Sequence, residues 1–443
     1  MAKHSFTGGI HPYDGKELSK DKPIKDIYPS GKMVYPVSQH IGAPASPIVA
    51  KGDHVLRGQR IAEASGFVSS HIYSTVSGTV ESIEPRRTVT GDMVLSIIID
   101  NDGEYREVDY DVCDEIDIDN MSKEDILKRI QDAGIVGMGG AGFPTHVKLS
   151  PKEPDKIDYC IANCAECEPY LTSDYRRMIE QPEMLIEGLK CVLRLFDNAK
   201  GILAVEDNKP DCIAKLKALT KNEPRILVKT LKTKYPQGAE RQLIFATTKR
   251  AINSSMLPAD AGCVVDNVDT LCAIYNAVWN GKPLMERIVT VTGDAVKEPQ
   301  NYRVCIGMSY SELIEASGGF IKKPEKIVSG GPMMGFALFD TDVPTTKTAS
   351  ALLALSKDEV ARYTPSACIN CGMCLEVCPG RVMPKALAEC AEHGDYERFE
   401  ELNGLECCEC GCCSFVCPAK RQLTQSIKSA RKIVLANKKK AGK

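Results

Sequence analysis

The sequence predicts a multidomain α/β chain, and three observations carry that expectation. From Lys156 to Leu271 helix and strand patterns alternate, as they do in a doubly wound parallel sheet. Residues 33–100 and 283–340 read instead as short strands broken by turns. The last eighty residues differ again, with cysteines at a doubled spacing around a helical stretch. With 443 residues the chain exceeds what one core supports and should hold about three large domains. We divide it at 1–115, 116–282, 283–345, 346–435 and a basic tail, 436–443.

Composition narrows the classes. An apolar fraction of 43% suits packed domains, and a formal charge of -3 favours neither nucleic acid nor an anionic surface as partner. No stretch approaches the 18 or so apolar residues of a membrane span, and the start, MAKHSFTGGIHPYDGKE, has no apolar leader core. Twenty cysteines without a secretion signal point to a reducing compartment, where thiolates bind metal.

In the first segment, MVYPVSQHIGAPASPIVAKGDHVLRGQRIAEA and HIYSTVSGTVESIE give short strands, with Gly52-Asp53 and Ser77-Gly78 at turns. The pattern resembles the barrel-sandwich hybrid of biotinyl and lipoyl carrier domains. No lysine stands where the carrier's modified lysine would, so the resemblance implies packing and not a swinging arm.

Lys123 to Ala133 is a short amphipathic helix capped by Ser122. It leads into a loop, Gly137-Met138-Gly139-Gly140-Ala141-Gly142-Phe143-Pro144-Thr145, with Lys148 beyond it. Four glycines in six residues bring backbone N–H groups close to a ligand, which suits an anion or cofactor; a plain flexible turn is the competing reading. The strand Lys156 to Ala162 then ends in Asn163-Cys164-Ala165-Glu166-Cys167-Glu168-Pro169-Tyr170, at the edge where parallel sheets bind ligands. A long helix around Met178 to Phe196, strand Gly201 to Val205, helix Asp211 to Leu219 and strand Arg225 to Val228 follow. Tyr235-Pro236-Gln237-Gly238-Ala239-Glu240 opens one more helix, and Asp266-Asn267-Val268-Asp269-Thr270 opens another with capping residues. Glu166 and Glu168 also read as solvated charges, and Cys164 with Cys167 as a redox pair that no second element supports.

Residues 283–340 return to strands and turns, with Gly330-Gly331-Pro332 as a turn. Ser350 to Arg362 is expected to be helical. Cysteines then fall as Cys368-x-x-Cys371-x-x-Cys374-x-x-x-Cys378-Pro379 and as Cys407-x-x-Cys410-x-x-Cys413-x-x-x-Cys417-Pro418. Three thiolates two residues apart can wrap three corners of an iron–sulfur cubane, the fourth ligand crossing from the other motif. Cys368, Cys371, Cys374 and Cys417 are thus assigned to one [4Fe-4S] cluster and Cys378, Cys407, Cys410 and Cys413 to a second. Paired zinc sites or disulfides are the alternatives. Cys408 and Cys412 lie out of register and read as bystanders. Pro384 to Asn403 has helical spacing between the motifs, and Lys438 to Lys443 reads as a solvated, disordered tail.

Together GMGGAGFPTHVK, NCAECEPYLTSD, YPQGAERQLI and DNVDTL, with GGIHP near the start and the paired cysteine motifs, resemble the C subunits of Rnf complexes. More distantly they resemble the FMN- and NADH-binding subunit of respiratory complex I. The resemblance implies a Rossmann-like FMN/NADH-binding sheet over 116–282, a soluble-ligand-binding β-grasp (SLBB) domain over 283–345 and a helical two-cluster ferredoxin module over 346–435. It places FMN on Gly137, Gly139, Gly140, Lys148, Asn163, Asp266, Asn267 and Thr270. NADH would approach past Phe143, Glu166, Glu168, Tyr235 and Glu240. An acid of the complex I relative is replaced here by Ala165, and that contact is not carried over. No residue is assigned a catalytic role, since the cofactors carry the chemistry.

The implied protein is a peripheral subunit of a membrane ferredoxin:NAD+ oxidoreductase on the cytoplasmic side. It would pass electrons between NAD(H), FMN and the clusters while partner subunits, including the iron–sulfur B subunit, move Na+ or H+. Ferredoxin would be an indirect partner and nucleic acid none. A soluble reductase of the cobalamin-reductase type shares the same modules, and a non-enzymatic scaffold stapled by its clusters is the remaining alternative.

Overall fold

A computed structural model describes residues 4–441. The first segment forms a four-stranded sheet in the order Met33–Pro36, Met93–Asn101, Gly78–Arg87, His54–Val55, backed by three short strands, Ser46–Pro47, Arg60–Glu63 and Ile72–Tyr73. Inward residues Val55, Ile61, Ile72, Val80, Ile97 and Ile99 do not close a core alone. They share one with Val289, Val291, Tyr302, Val304 and Leu352 of the β-grasp domain. Sharing is how two small sheet modules bury enough apolar surface.

The central sheet is parallel throughout, in the order Ile226–Leu231, Lys200–Glu206, Tyr159–Cys164, Cys263–Asn267. Strands 159–164, 200–206 and 226–231 step outward in chain order, and 263–267 returns to the opposite side of 159–164. The reversal makes a crevice at the carboxyl ends of 159–164 and 263–267, where doubly wound sheets bind ligands. Helices Pro182–Leu195 and Val268–Asn280 pack on one face and Glu240–Thr248 on the other. The helix expected over 178–196 is two helices, Ser173–Glu180 and Pro182–Leu195. Pro182 lacks the N–H needed to continue the first and starts the second.

The β-grasp sheet has six strands, ordered Ile24–Asp26, Gln300–Cys305, Glu286–Thr292, Ala351–Leu355, Lys326–Ser329, Phe336–Ala337. Residues 351–355, expected within a helix, form an inner strand of this sheet, parallel to 290–292 and antiparallel to 326–329. Leu352 and Leu353 are both fully buried, because this strand is covered on both faces. Strand Ile24–Asp26 belongs to the first segment in sequence but pairs here.

Among the described residues the last module carries five α-helices, Met373–Glu376, Pro384–His393, Tyr396–Glu401, Cys412–Phe415 and Leu423–Ala441. The single helical stretch expected over 384–403 is broken at Gly394, whose φ of 70° ends one helix before Asp395 caps the next. The tail expected to be disordered is helical through Ala441. Its Lys438, Lys439 and Lys440 sit in the last turn, where cations offset the helix dipole. Gly442 and Lys443 lie outside the described residues. No helix among the described residues is long and apolar enough to cross a membrane.

Candidate redox sites

The glycine loop packs across the crevice between strands 159–164 and 263–267. Gly137 N donates to Phe143 O at 2.8 Å, and Met138 N donates to Thr270 Oγ1 at 3.0 Å, so Thr270 ties the loop to helix 268–280. Gly139 lies against Asn267: a Cβ on Gly139 would come within 2.9 Å of the Asn267 Cβ. A Cβ on Gly140 would meet nothing within 4 Å, so the outer side of the loop is open. Lys148 Nζ donates to Val265 O at 2.7 Å and to Asp266 Oδ1 at 3.0 Å. Glu240 opens helix Glu240–Thr248 and is exposed; its surroundings raise its carboxyl, with Lys148 opposing the shift and Asp266 adding to it. Asn163 Nδ2 donates to Gly238 O at 2.8 Å, placing the loop before Glu240 beside it. An exposed glycine loop, a lysine and carboxamides at a switch point fit the phosphate and ring edge of a flavin nucleotide.

Of the carboxylates beyond strand 159–164, Glu166 is buried and Glu168 half-buried. Glu166 is 5% exposed; its Oε1 accepts from Asp174 N at 2.8 Å, and its Oε2 lies 3.7 Å from Lys16 Nζ. Burial raises its carboxyl above the usual range, against the pull of Lys16 and Lys209. Glu168 Oε1 accepts from Met333 N at 2.7 Å and Met334 N at 3.1 Å, which makes it the anchor of the Gly330–Pro332 turn. Burial pushes Glu168 up to about 7, and those two N–H groups oppose the shift. Asp174, which accepts from Asn267 Nδ2 at 2.7 Å, is raised to about 7 by burial and by its neighbours Glu166 and Asp269. Lys16 and Asp174 were not singled out in the sequence. Asp174 lies within the NCAECEPYLTSD motif and could have been; Lys16 gives no local signal, being 150 residues from its partner.

Each cysteine quartet surrounds its own cavity. Cys368, Cys371, Cys374 and Cys417 line one of about 230 Å³, with Cys371 exposed. Cys378, Cys407, Cys410 and Cys413 line a smaller, more enclosed one. The two motifs share a backbone: Asn370 and Glu409, Gly372 and Gly411, Arg381 and Lys420 all have positive φ at matching positions. Asn370 N lies 3.4 Å from Cys368 Sγ and Glu409 N 3.4 Å from Cys407 Sγ, so N–H groups face the thiols in both. Four thiols around each cavity match the ligand set of a cubane. Cys408 and Cys412 also line the second cavity, and Cys412 is fully buried.

The second cavity abuts the flavin-type domain. Tyr235 is 2% exposed and its hydroxyl donates to Cys410 O at 2.7 Å, within an apolar cluster of Ile10, Tyr235, Cys410 and Cys412. Arg241 pairs with Glu406 at 2.9 Å, and Gly9 N donates to Val377 O at 2.8 Å. Tyr235 thus stands at the seam between the sheet domain and the cysteine module.

Family models match in chain order: the RnfC barrel sandwich hybrid domain at residues 4–104, the Nuo51 FMN-binding domain at 130–276, the SLBB domain at 288–337 and the 4Fe-4S binding domain at 361–383. Fold and site together define a chain that joins an FMN-binding domain to an iron–sulfur domain. The chain is 44% identical over 439 residues to the C subunit of the Na(+)-translocating ferredoxin:NAD(+) oxidoreductase complex of Acetobacterium woodii, covering 99% of each. It is also 44% identical over 425 residues to the C subunit of the proton-translocating ferredoxin:NAD(+) oxidoreductase complex of Clostridium ljungdahlii, covering 96% of this chain and 93% of that one. With the C subunit of the ion-translocating oxidoreductase complex of Vibrio cholerae it shares 36% identity over 402 residues, 90% of this chain and 52% of the relative. The chain belongs to the family of these proteins, the C subunits of Rnf complexes.

Proposed function

We propose that the chain is the peripheral subunit that carries electrons between NAD(H), FMN and two [4Fe-4S] clusters in a membrane-bound ion-translocating ferredoxin:NAD+ oxidoreductase. The observation that carries this reading is the seam: one cysteine quartet lies directly behind the loop Tyr235–Glu240 that borders the crevice, through the Tyr235 hydroxyl and the Cys410 carbonyl.

Bound FMN supplies the exchange between hydride pairs and single electrons. Gly137, Gly139 and Gly140 let the backbone approach its phosphate, with Lys148 as the charge and Asp266 holding that lysine in place. Asn163 and Asn267, held by Gly238 O and Asp174, would flank the ring, and Thr270 fixes the loop through Met138 N. Phe143 and Glu240 would border the nicotinamide nucleotide's approach, with Glu166, Glu168 and Tyr235 forming the wall behind it, tied to Lys16, Met333 and Cys410. Cys378, Cys407, Cys410 and Cys413 would hold the cluster next to the flavin domain, and Cys368, Cys371, Cys374 and Cys417 the one nearer the surface, where Cys371 is exposed. Two such clusters would supply one-electron transfer from the flavin side to partner subunits on the cytoplasmic side of the membrane, the iron–sulfur B subunit first among them and ferredoxin beyond.

Ion choice lies with the partners. This chain is equally similar to a Na+-translocating and a proton-translocating relative, and no described helix is built to cross a membrane. Anaerobic purification with iron, sulfide and flavin analysis tests the reading. The expected result is about eight irons and one FMN per chain, with NADH bleaching both the flavin and the cluster absorbance. Protein that binds iron but no flavin, or flavin that NADH cannot reduce, refutes it.

A further inference from the structure

The formal charge of -3 hides an uneven distribution. Residues 420–443 hold nine Lys or Arg and no Asp or Glu, so all 59 acids of the chain precede them. Six of the nine lie on helix Leu423–Ala441, whose inner face is set by Leu423, Ile427, Ala430 and Val434, buried three and four residues apart. Lys432, Ala436 and Lys439 therefore stand on the opposite face, with Lys440 beside them, and all four are exposed. Ile433 and Leu435, 37% and 44% exposed, flank them. Glu409 pairs with Lys428 at 3.6 Å and with Arg431 at 2.8 Å, and Glu400 pairs with Lys438. Among the described residues Lys432, Lys439 and Lys440 have no carboxylate partner.

A run of lysines alone is a solvated face. Beside this one lies a surface that water does not favour. The β-grasp turn from Met334 to Phe339 leaves Phe339 91%, Met334 52% and Phe336 45% exposed. Lys428 Nζ stands 5.6 Å from the centre of the Phe336 ring, so the turn borders the helix, and the Arg87 guanidinium stands 5.5 Å from the centre of the Phe339 ring. Asp340, the acid that follows, accepts from Asp342 N at 3.0 Å. Exposed apolar side chains rimmed by cations have the composition of an interfacial anchor, in which rings enter a headgroup layer and cations meet its phosphates.

We propose that the turn from Met334 to Phe339 and the outer face of helix 423–441 together seat the chain on an anionic lipid surface. The proposal rests on the function proposed above, which brings the chain to a membrane that no described helix is built to cross. An acidic protein would match the lysines, but the bare rings would then need a groove shaped to them. A headgroup layer accepts both without fixed complementarity.

The test sediments the anaerobic holoprotein with vesicles of phosphatidylcholine alone and of equal parts phosphatidylcholine and phosphatidylglycerol. The chain is expected to bind the mixed vesicles, to ignore the neutral ones and to be released as salt is raised. Lys432→Gln, Lys439→Gln and Lys440→Gln together should weaken binding on the order of a hundredfold, and Phe339→Ser on the order of tenfold. All four side chains are exposed, so both variants should fold, and NADH should bleach their flavin and cluster absorbance as in the wild type. No binding to the mixed vesicles, or variants that bind as the wild type does, overturns the proposal. If the wild type ignores vesicles but holds partner subunits through the same lysines, the face belongs to a protein and the proposal falls. Vesicle binding needs neither flavin nor iron: its loss with bleaching intact sinks the docking alone, and absent bleaching with binding kept sinks the functional reading alone.

Discussion

Replacing Asp269 with alanine tests how the crevice is held. Asp269 Oδ1 accepts from Arg177 Nε at 2.8 Å and Oδ2 from Arg287 Nη1, and all three side chains are at most 6% exposed. Burial alone would raise the Asp269 carboxyl, but the two guanidinium groups overrule it and hold it below the usual range. Arg287 comes from the β-grasp strand Glu286–Thr292 and also donates to Ala349 O at 2.9 Å and contacts Met138 Sδ. One aspartate therefore ties the glycine loop, helix 268–280 and the β-grasp sheet together. Asp269→Ala removes the one carboxylate that both buried guanidinium groups bond, a loss of about 3–5 kcal/mol. The only tryptophan of the chain, Trp279, lies on the same helix and reports unfolding of this region by fluorescence. With a urea slope of about 1–3 kcal/mol/M, the midpoint of that transition should fall by at least about 1 M. Replacing all three partners together with apolar residues (Asp269→Leu, Arg177→Met, Arg287→Met) should recover much of the loss, since the lone charges and not the missing pair carry most of the cost. A midpoint for Asp269→Ala within about 0.3 M of wild type, which that slope makes less than about 1 kcal/mol, would refute the argument.

Three further outcomes are expected. Gly139→Ala should weaken FMN binding at least about tenfold, a loss of about 1.4 kcal/mol, because its Cβ would press on Asn267. Gly140→Ala, whose Cβ would stand on the open side of the loop where the phosphate would lie, should weaken binding as well, and fluorescence titration with FMN measures both. Tyr235→Phe leaves the Cys410 carbonyl unpartnered at the seam and should cost about 1–3 kcal/mol in denaturant titration, with cluster reduction slowed and flavin reduction by NADH kept in stopped flow. Glu168 is raised from 4.5 to about 7, so the folded chain holds a proton there that the unfolded chain releases. Its contribution to stability is full below pH 4.5 and is lost as pH rises toward 7; Glu168→Gln should flatten that fall in melting temperature measured across the range.

Much of this architecture is legible because the chemistry is local. The cysteine spacing needs no tertiary information, and the two quartets line separate cavities. Strand edges at Asn163 and Asp266 follow from apolar runs that end in polar residues. What escaped depends on partners far along the chain. Ala351–Leu355 contains helix-forming alanine and leucine and no β-branched residue, so only its place between two other strands makes it extended. Glu166 reads as surface charge until Lys16, 150 positions away, is folded over it. Tyr235 looks like a substrate-facing aromatic, and only the docking of the cysteine module gives its hydroxyl a carbonyl to bind. The pause between helices 173–180 and 182–195 could have been taken from Pro182 alone.

The segment from His4 to Ser19 has a consequence for how the molecule is made. His4 bridges to Leu231, Ile10 to Tyr235, Gly9 donates to Val377 O and Lys16 to Glu168 O. Synthesis runs from the amino end, so these early residues emerge long before the stretches that receive them. Lys16 waits for residue 168, His4 and Ile10 for residues 231 and 235, and Gly9 for residue 377. The strap therefore closes in steps, and a chain cut short before the cysteine module would keep its leading end pinned to the sheet domain and lose only the Gly9 contact.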